Sequence, residues 1–214
     1  RADQNGDTLQ MVGTVPVATT SPFFKDGFGT GRRAVGPFTD SDYIAPYGTT
    51  TRDPLDSTGD RFGIIAFVPG VGGGQDTYYS NGINSTDGHL VETSVANVLR
   101  HVSRVAGANQ IAVSVNAVVE GGLNVGCWWR TGNNISVRLN NGATATTAAG
   151  GAETAGTSYF AKIGRHEAAG TNVTGSIIEI AQGLGAPAGY ASPEAWCVDQ
   201  TAKALANGDP TKPL

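Results

Sequence analysis

This sequence predicts an all-β chain folded as a two-layer antiparallel β-sandwich with a short C-terminal helix, and three observations carry that expectation. Between residues 62 and 182, apolar and polar residues alternate with period two in one run after another, as strands with one buried face require. Gly occupies 31 of the 214 positions and, with Asn, punctuates those runs at turn spacing. Only 192–207 carries the start signals and residue types of a helix.

Residues 62–68 form an apolar run stopped by Pro69-Gly70, which reads as a central buried strand. Segments 90–95, 97–105 and 110–119 alternate as half-buried strands, the last with Ile111, Val113 and Val115 on one face and Ala112, Ser114 and Asn116 on the other. Residues 124–130 and 134–140 make the clearest hairpin, because Thr131-Gly132-Asn133 tolerates positive φ between two alternating runs. Two more strands are expected at 159–164 and 175–182, the second with Ile178 and Ile180 inward and Glu179 outward, or the reverse if its register slips by one. In the helix Ser192 caps, Pro193 fits the first position and Glu194 faces the positive end, while Asn207-Gly208 and Pro210 stop it. A chain of this length is expected to form one domain, 1–214, since sandwiches often reach it undivided.

Composition excludes several functions. The 18 acids and 14 bases leave a net charge of −4, and only four of the bases are Lys, so the basic stripe that nucleic acid needs is missing. No apolar run approaches the roughly 20 residues of a membrane-spanning helix. Cys127 and Cys197 are too few for a disulfide framework; they form either one bridge from a core strand to the C-terminal segment or two buried thiols.

Catalytic constellations are sparse. Asp40 and Asp42 alternate as paired carboxylates do, but in a Pro/Gly-rich stretch that favours a loop or capping role. His89, His101 and His166 stand in separate segments without metal-ligand neighbours and read as surface or turn histidines. The glycines at 70–74 follow a strand but lack the Lys-Ser/Thr of a phosphate cradle. Asn84, Asn134 and Asn172 head N-glycosylation patterns, which matter only in a glycosylating host.

Four stretches in fixed order carry a family resemblance: 55–68 with its Leu55, Gly59-Asp60 and Phe62 entry into an apolar run; 128–142 with Trp128, Val137, Arg138 and Asn141-Gly142; Phe160 to Arg165; and Gly175 to Ala181. Together they resemble the laminin-G-like, concanavalin-A-like jelly roll. The resemblance implies that 1–50 is a loop-rich part with the opening strand, and that the chain works outside a cell, on a cell surface or on a virion. It implies glycan or protein recognition without a required cofactor. Relatives of this kind often hold calcium through loop carboxylates, for which Asp76 with Asp87, or Asp56 with Asp60, are the candidates.

Sugar rings stack on aromatic faces, and Tyr78, Tyr79 and Asn81, read as part of a Gly/Asn-rich surface loop, are the first ligand-binding candidates. Trp128 is the second, since alternation sends it opposite to Trp129; ordinary core packing is the alternative for all of them. Three functions are therefore expected in order: a non-enzymatic glycan or protein recognition module; a structural or decoration subunit of a virion, filament or surface layer, in a homo-oligomeric assembly; and a polysaccharide lyase or glycoside hydrolase. Residues 159–164 faintly echo an alginate-lyase strand, but the companion Arg/Glu/Arg and Gln-Ile-His strands are missing.

Overall fold

The computed structural model describes residues 9–12, 24–27, 32–35, 43–46, 59–72, 74–81, 87–154, 162–164, 171 and 173–208. Along the chain run β1 (Leu9–Val12), β2 (Phe24–Gly27), β3 (Arg32–Val35), β4 (Tyr43–Pro46), β5 (Arg61–Val68), β6 (Thr77–Asn81) and β7 (His89–Thr93). There follow β8 (Val98–Val105), β9 (Ala108–Ala117), β10 (Asn124–Thr131), β11 (Asn134–Leu139), β12 (Ala145–Ala148), β13 (Lys162–Ile163), β14 (Ser176–Leu184) and the helix α1 (Pro193–Gly208). The strands form two seven-stranded antiparallel sheets, ordered β1-β4-β13-β6-β7-β8-β9 and β12-β11-β10-β5-β14-β3-β2. A two-layer sandwich with a C-terminal helix is thus the observed architecture.

The run from Phe62 is apolar throughout because both faces of β5 are covered. Ile65 and Phe67 point into the core between the sheets, with Trp128, Leu99 and Val91. Ile64 and Ala66 point the other way, into a second core with Val125, Cys127 and Trp129 under α1. Trp196 of the helix meets Phe62 edge-on, centroids 4.8 Å apart. The helix starts at its expected cap, Ala195 N–H donating to Ser192 Oγ at 3.1 Å. A disulfide joins Cys127 of β10 to Cys197 of α1, Cα atoms 6.0 Å apart, and both residues are buried.

Several sequence expectations are corrected here. Tyr78 and Tyr79 do not lie in a loop: they belong to β6, whose five residues are all buried, with Tyr78 packed on Phe67 at 4.2 Å between centroids. Trp128 and Trp129 do face opposite ways, yet both are buried, since the helix roofs the face that Trp129 occupies. Trp128 lies over Gly63, where a Cβ would overlap its indole ring, so a side chain is excluded from that position of β5. On β9 it is Ala112 and Ser114 that point inward, while Val113 and Val115 are 41% and 65% exposed. Ala112 sits opposite the buried His101, and Ser114 Oγ accepts from Leu99 N–H at 3.0 Å, so small and polar groups occupy that side.

The Ile178/Glu179/Ile180 ambiguity resolves into a bulge. Ile177 pairs with Phe67 and Glu179 with Ala66, which leaves Ile178 as the extra residue. Ile177 and Ile180 therefore face the inter-sheet core and Ile178 faces the helix side.

Candidate functional site

Strand direction sorts the connections into two ends with opposite character. β5 ends, β6 begins, β7 ends, β8 begins and β9 ends at one of them, so among the described residues 69–72, 74–76, 94–97 and 118–123 converge there, joined by 140–144 and 173–175. This is the loop end. At the opposite end β5 begins beside the end of β10, Arg61 opposite Arg130, and the segment after β12 closes over them.

That closed end holds the charge cluster of the described interior. Glu153 accepts from both terminal nitrogens of Arg61, from Nη1 at 2.9 Å, and also from Ser103 Oγ. His89 Nδ1 approaches the same carboxylate at 3.4 Å, and Arg130 Nη1 at 3.9 Å while donating to Ser103 Oγ at 3.1 Å. The strap carrying Glu153 is held by Thr154 N–H donating to the Arg104 carbonyl, and by Gly88 N–H donating to the Thr154 carbonyl, each at 2.8 Å. Burial alone would raise the Glu153 carboxyl, but hydrogen bonding and charge from His89, followed by Arg61, hold it well below the ordinary carboxylate range. Burial, then the charges of Arg61 and His89, lower His101, whose Nδ1 contacts the Ser136 carbonyl at 3.2 Å.

His89 and His101 are thus buried residues, which corrects the surface reading. Ionisable groups do converge in this fold, but in a sealed interior: Arg61 and His101 have no exposed surface, and Glu153 is 5% exposed. A polysaccharide cannot reach them, so the cluster serves to close that end of the sandwich.

The loop end is open. Pro69-Gly70 ends β5, and Asn97 and Asn140 take φ of 54° and 53°, left-handed turns that Asn tolerates. Glu120 bridges three loops, accepting from Asn97 Nδ2 at 2.7 Å and from Gly72 N–H at 3.5 Å. Behind it the buried Asn124 holds 119–122, accepting from Val119 N–H at 2.9 Å and donating to the Val119 and Gly122 carbonyls at 2.8 and 2.9 Å. Thr93 Oγ1 accepts from Asp76 N–H at 3.1 Å, and Thr174 Oγ1 donates to the Asp76 carboxylate at 3.3 Å.

Around this scaffold three valines stand outward, one per loop: Val71 at 86%, Val95 at 83% and Val119 at 55% exposure. The same loops line a small pocket, with Pro69, Gly70, Asp76, Thr93, Asn97 and Glu120 among its walls. About 10 Å³ of it is open to the centre of a water molecule, room for a single water or ion and not for a sugar ring. Any larger ligand must therefore sit across the rim.

The sequence candidates fall elsewhere. Tyr78, Tyr79, Asn81 and Trp128 are at most 2% exposed and present no open stacking face. Asp76 and Asp87 cannot share an ion: they flank opposite ends of the five-residue β6, about 16 Å apart by strand rise. No group of three or more His, Cys, Asp or Glu placed to hold a metal occurs among the described residues. Asp40, Asp42, Asp56, His166, Asn84 and Asn172 lie outside those residues. Sequence reasoning missed the rim, although a signal was present: each of three polar or Gly-rich turns contains a valine that a turn does not need.

No family model matches the chain, and no curated protein matches it. Solved structures do. The binding domain of botulinum neurotoxin serotype D is similar with a TM-score of 0.62 over 94% of this chain and 48% of that one, at 8% identity. A Ruminococcus gnavus IT-sialidase CBM40, bound to α2,3-sialyllactose, is similar with a TM-score of 0.54 over 68% of this chain and 84% of that one, at 12% identity. The mouse laminin α1 pair LG4-5 reaches only 0.48, over 58% of this chain and 35% of that one at 9% identity, and supports no argument. The chain thus spans about half the length of the neurotoxin domain and about a third of the laminin pair. At such identities the likeness shows the fold alone, a lectin-type jelly-roll β-sandwich.

Proposed function

We propose that this chain is a non-enzymatic recognition module acting outside the cell, with the loop end as its glycan-binding surface. One observation carries the reading: the loops of this end are held by Glu120, Asn124 and Thr93 while three valines stand exposed on their tips. Exposed apolar groups on a pre-ordered rim lower the entropy lost on binding, which is what a recognition surface requires and a bare turn does not. The neighbours support it by analogy, one being a binding domain and the other a module bound to a sugar. The full chain on a broad glycan array should retain some glycans, and calorimetry on those hits should give heat. Both are run with calcium and with EDTA, because Asp76 and Glu120 line the pocket and calcium would alter their charge. Silence across the array under both conditions ends the reading.

A second reading, a structural subunit that assembles with copies of itself, is favoured by β9. No charged residue occurs between 108 and 119, and Val113 and Val115 are exposed on this outermost strand of its sheet. Uncharged apolar edge strands invite association. Light scattering should then show mass rising with concentration, and Val115→Lys should return the chain to monomer; a constant monomer mass removes this reading.

A further inference from the structure

We propose that residues 149–154 form an acid-operated latch: as pH falls, this strap leaves the closed end while the strands stay folded, and His101 takes up a proton as water enters. The inference is independent of the glycan reading, since the closed end and the rim lie at opposite ends of the strands.

What holds the strap is polar. Its sequence, Ala149-Gly150-Gly151-Ala152-Glu153-Thr154, contains no large apolar side chain, and Ala152 and Thr154 are exposed. Ala149 is the fixed end, buried in the inner core with its N–H donating to the Asn133 carbonyl at 2.6 Å. Beyond it Arg130 Nη2 donates to the Gly151 carbonyl, Glu153 accepts from Arg61 and Ser103, and Thr154 is bonded to Arg104 and Gly88. Gly150, at φ 74°, supplies a left-handed turn between the fixed end and these contacts, where the latch hinges.

Behind the latch stands a histidine that is kept neutral while it is shut. Ser103 touches Glu153, and His101 is the next residue inward along the same row of β8. Its Nδ1 meets the Ser136 carbonyl of β11 at 3.2 Å. A carbonyl only accepts, so the ring's proton lies on Nδ1 and a second has to go to Nε2. That atom is buried and has no hydrogen-bond partner among the described residues. The charged and titratable groups around the ring are Arg61 of β5, Glu153 of the strap and His89 of β7, whose ring centroid is 6.1 Å away, while β9 places Ala112 opposite. Arg130 of β10 reaches the same carboxylate and is itself acted on by Asp60. Arg104 feels the charge of Glu92, and Asp87 precedes the Gly88 anchor.

Burial, then Arg61, opposes a second proton on His101 and lowers its pKa in the shut form. With the strap away the ring is hydrated and titrates near its ordinary value of about 6.5. The open form thus binds more protons than the shut one. Linkage then shifts the balance toward opening by about tenfold per pH unit below about pH 6.5.

Amide exchange of the full chain, followed by NMR and corrected for the intrinsic pH dependence of exchange, reads the latch directly, because the Thr154 and Gly88 N–H groups make its own bonds. From about pH 7.5 to about pH 5 Glu153 stays ionised whether shut or open, which isolates the histidine. Opening at both amides should rise about thirtyfold over that range, while the β5 amides stay protected. His101→Asn, which keeps a side-chain N–H near the Nδ1 position for the Ser136 carbonyl, should remove most of the rise. No rise in the wild-type chain, a rise shared equally by β5, or one just as steep in His101→Asn overturns the latch. If the variant does not fold, the wild-type series decides alone.

Discussion

Glu153→Ala should destabilise the fold by about 3–5 kcal/mol, measured by urea denaturation at neutral pH. The carboxylate contacts two buried guanidinium groups, Arg61 on one side and Arg130 at 3.9 Å on the other. Deleting it leaves Arg61 and Arg130 as buried like charges, with Asp60 acting on Arg130 alone, which is the costly way to break a buried ion pair. Ser103 and His89 lose their partner as well. Total stabilities of such domains are about 5–15 kcal/mol, so the variant is expected near the edge of folding at 37 °C. A loss under about 1 kcal/mol would mean that this end is open to water.

The same group fixes the pH dependence of the wild-type chain. The Glu153 carboxyl titrates lower in the fold than in the unfolded chain, so its contribution is complete above its unfolded value, about 4.3, and is lost as pH falls toward the folded one. His101 is also lowered in the fold and stays neutral there, while in the unfolded chain it takes up a proton below about 6.5. Both effects favour unfolding on acidification. Stability should be flat near neutrality, begin to fall below about pH 6.5 and fall faster below about 4.3. In Glu153→Ala the second decline should be much reduced.

These side chains show how far the sequence could be read. β8, β10 and β11 were legible because each residue chooses between two faces and turn residues mark where the alternation stops, and β5 was legible as an unbroken apolar run ended by Pro69-Gly70. β6 was not, because Thr77, Tyr78, Tyr79, Ser80 and Asn81 are buried without regard to polarity and leave no period. The cluster was half legible. Arg130 stands two residues after Trp128, and Arg61 two before Gly63, so both belong to inward-facing rows. Their counter-charge comes from Glu153 inside an Ala/Gly/Thr-rich segment with no periodic signal, and only the closing of the strap brings it across. The rim was hidden for a related reason. Glu120, Asn97 and Gly72 meet through three separate loops, and nothing local in any one of them announces the other two.

Removing the disulfide, by Cys127→Ser with Cys197→Ser, should cost about 4 kcal/mol, the chain-entropy value for a crosslink separated by 70 residues. The loss should not be spread evenly. The helix has little of its own to hold it: at 16 residues it is near the length at which isolated helices are marginal, and no basic residue lies in its last turn. What keeps it on the sheet is the second core, Trp196 against Phe62 and the roof over Ile64, Val125 and Trp129, together with the bridge. Once the bridge is gone, the helix should detach before the sandwich unfolds, and Trp129 and Trp196 should become accessible while Trp128 stays enclosed between the sheets. Hydrogen exchange should then show protection lost first over 193–208 and retained in β5 and β8. The bonds that order the rim, from Asn97 to Glu120 and between Val119 and Asn124, do not run through either Cys residue, so glycan binding by the double variant should survive at low temperature. Simultaneous loss of protection in the helix and the inner strands would show instead that the two cores form one cooperative unit.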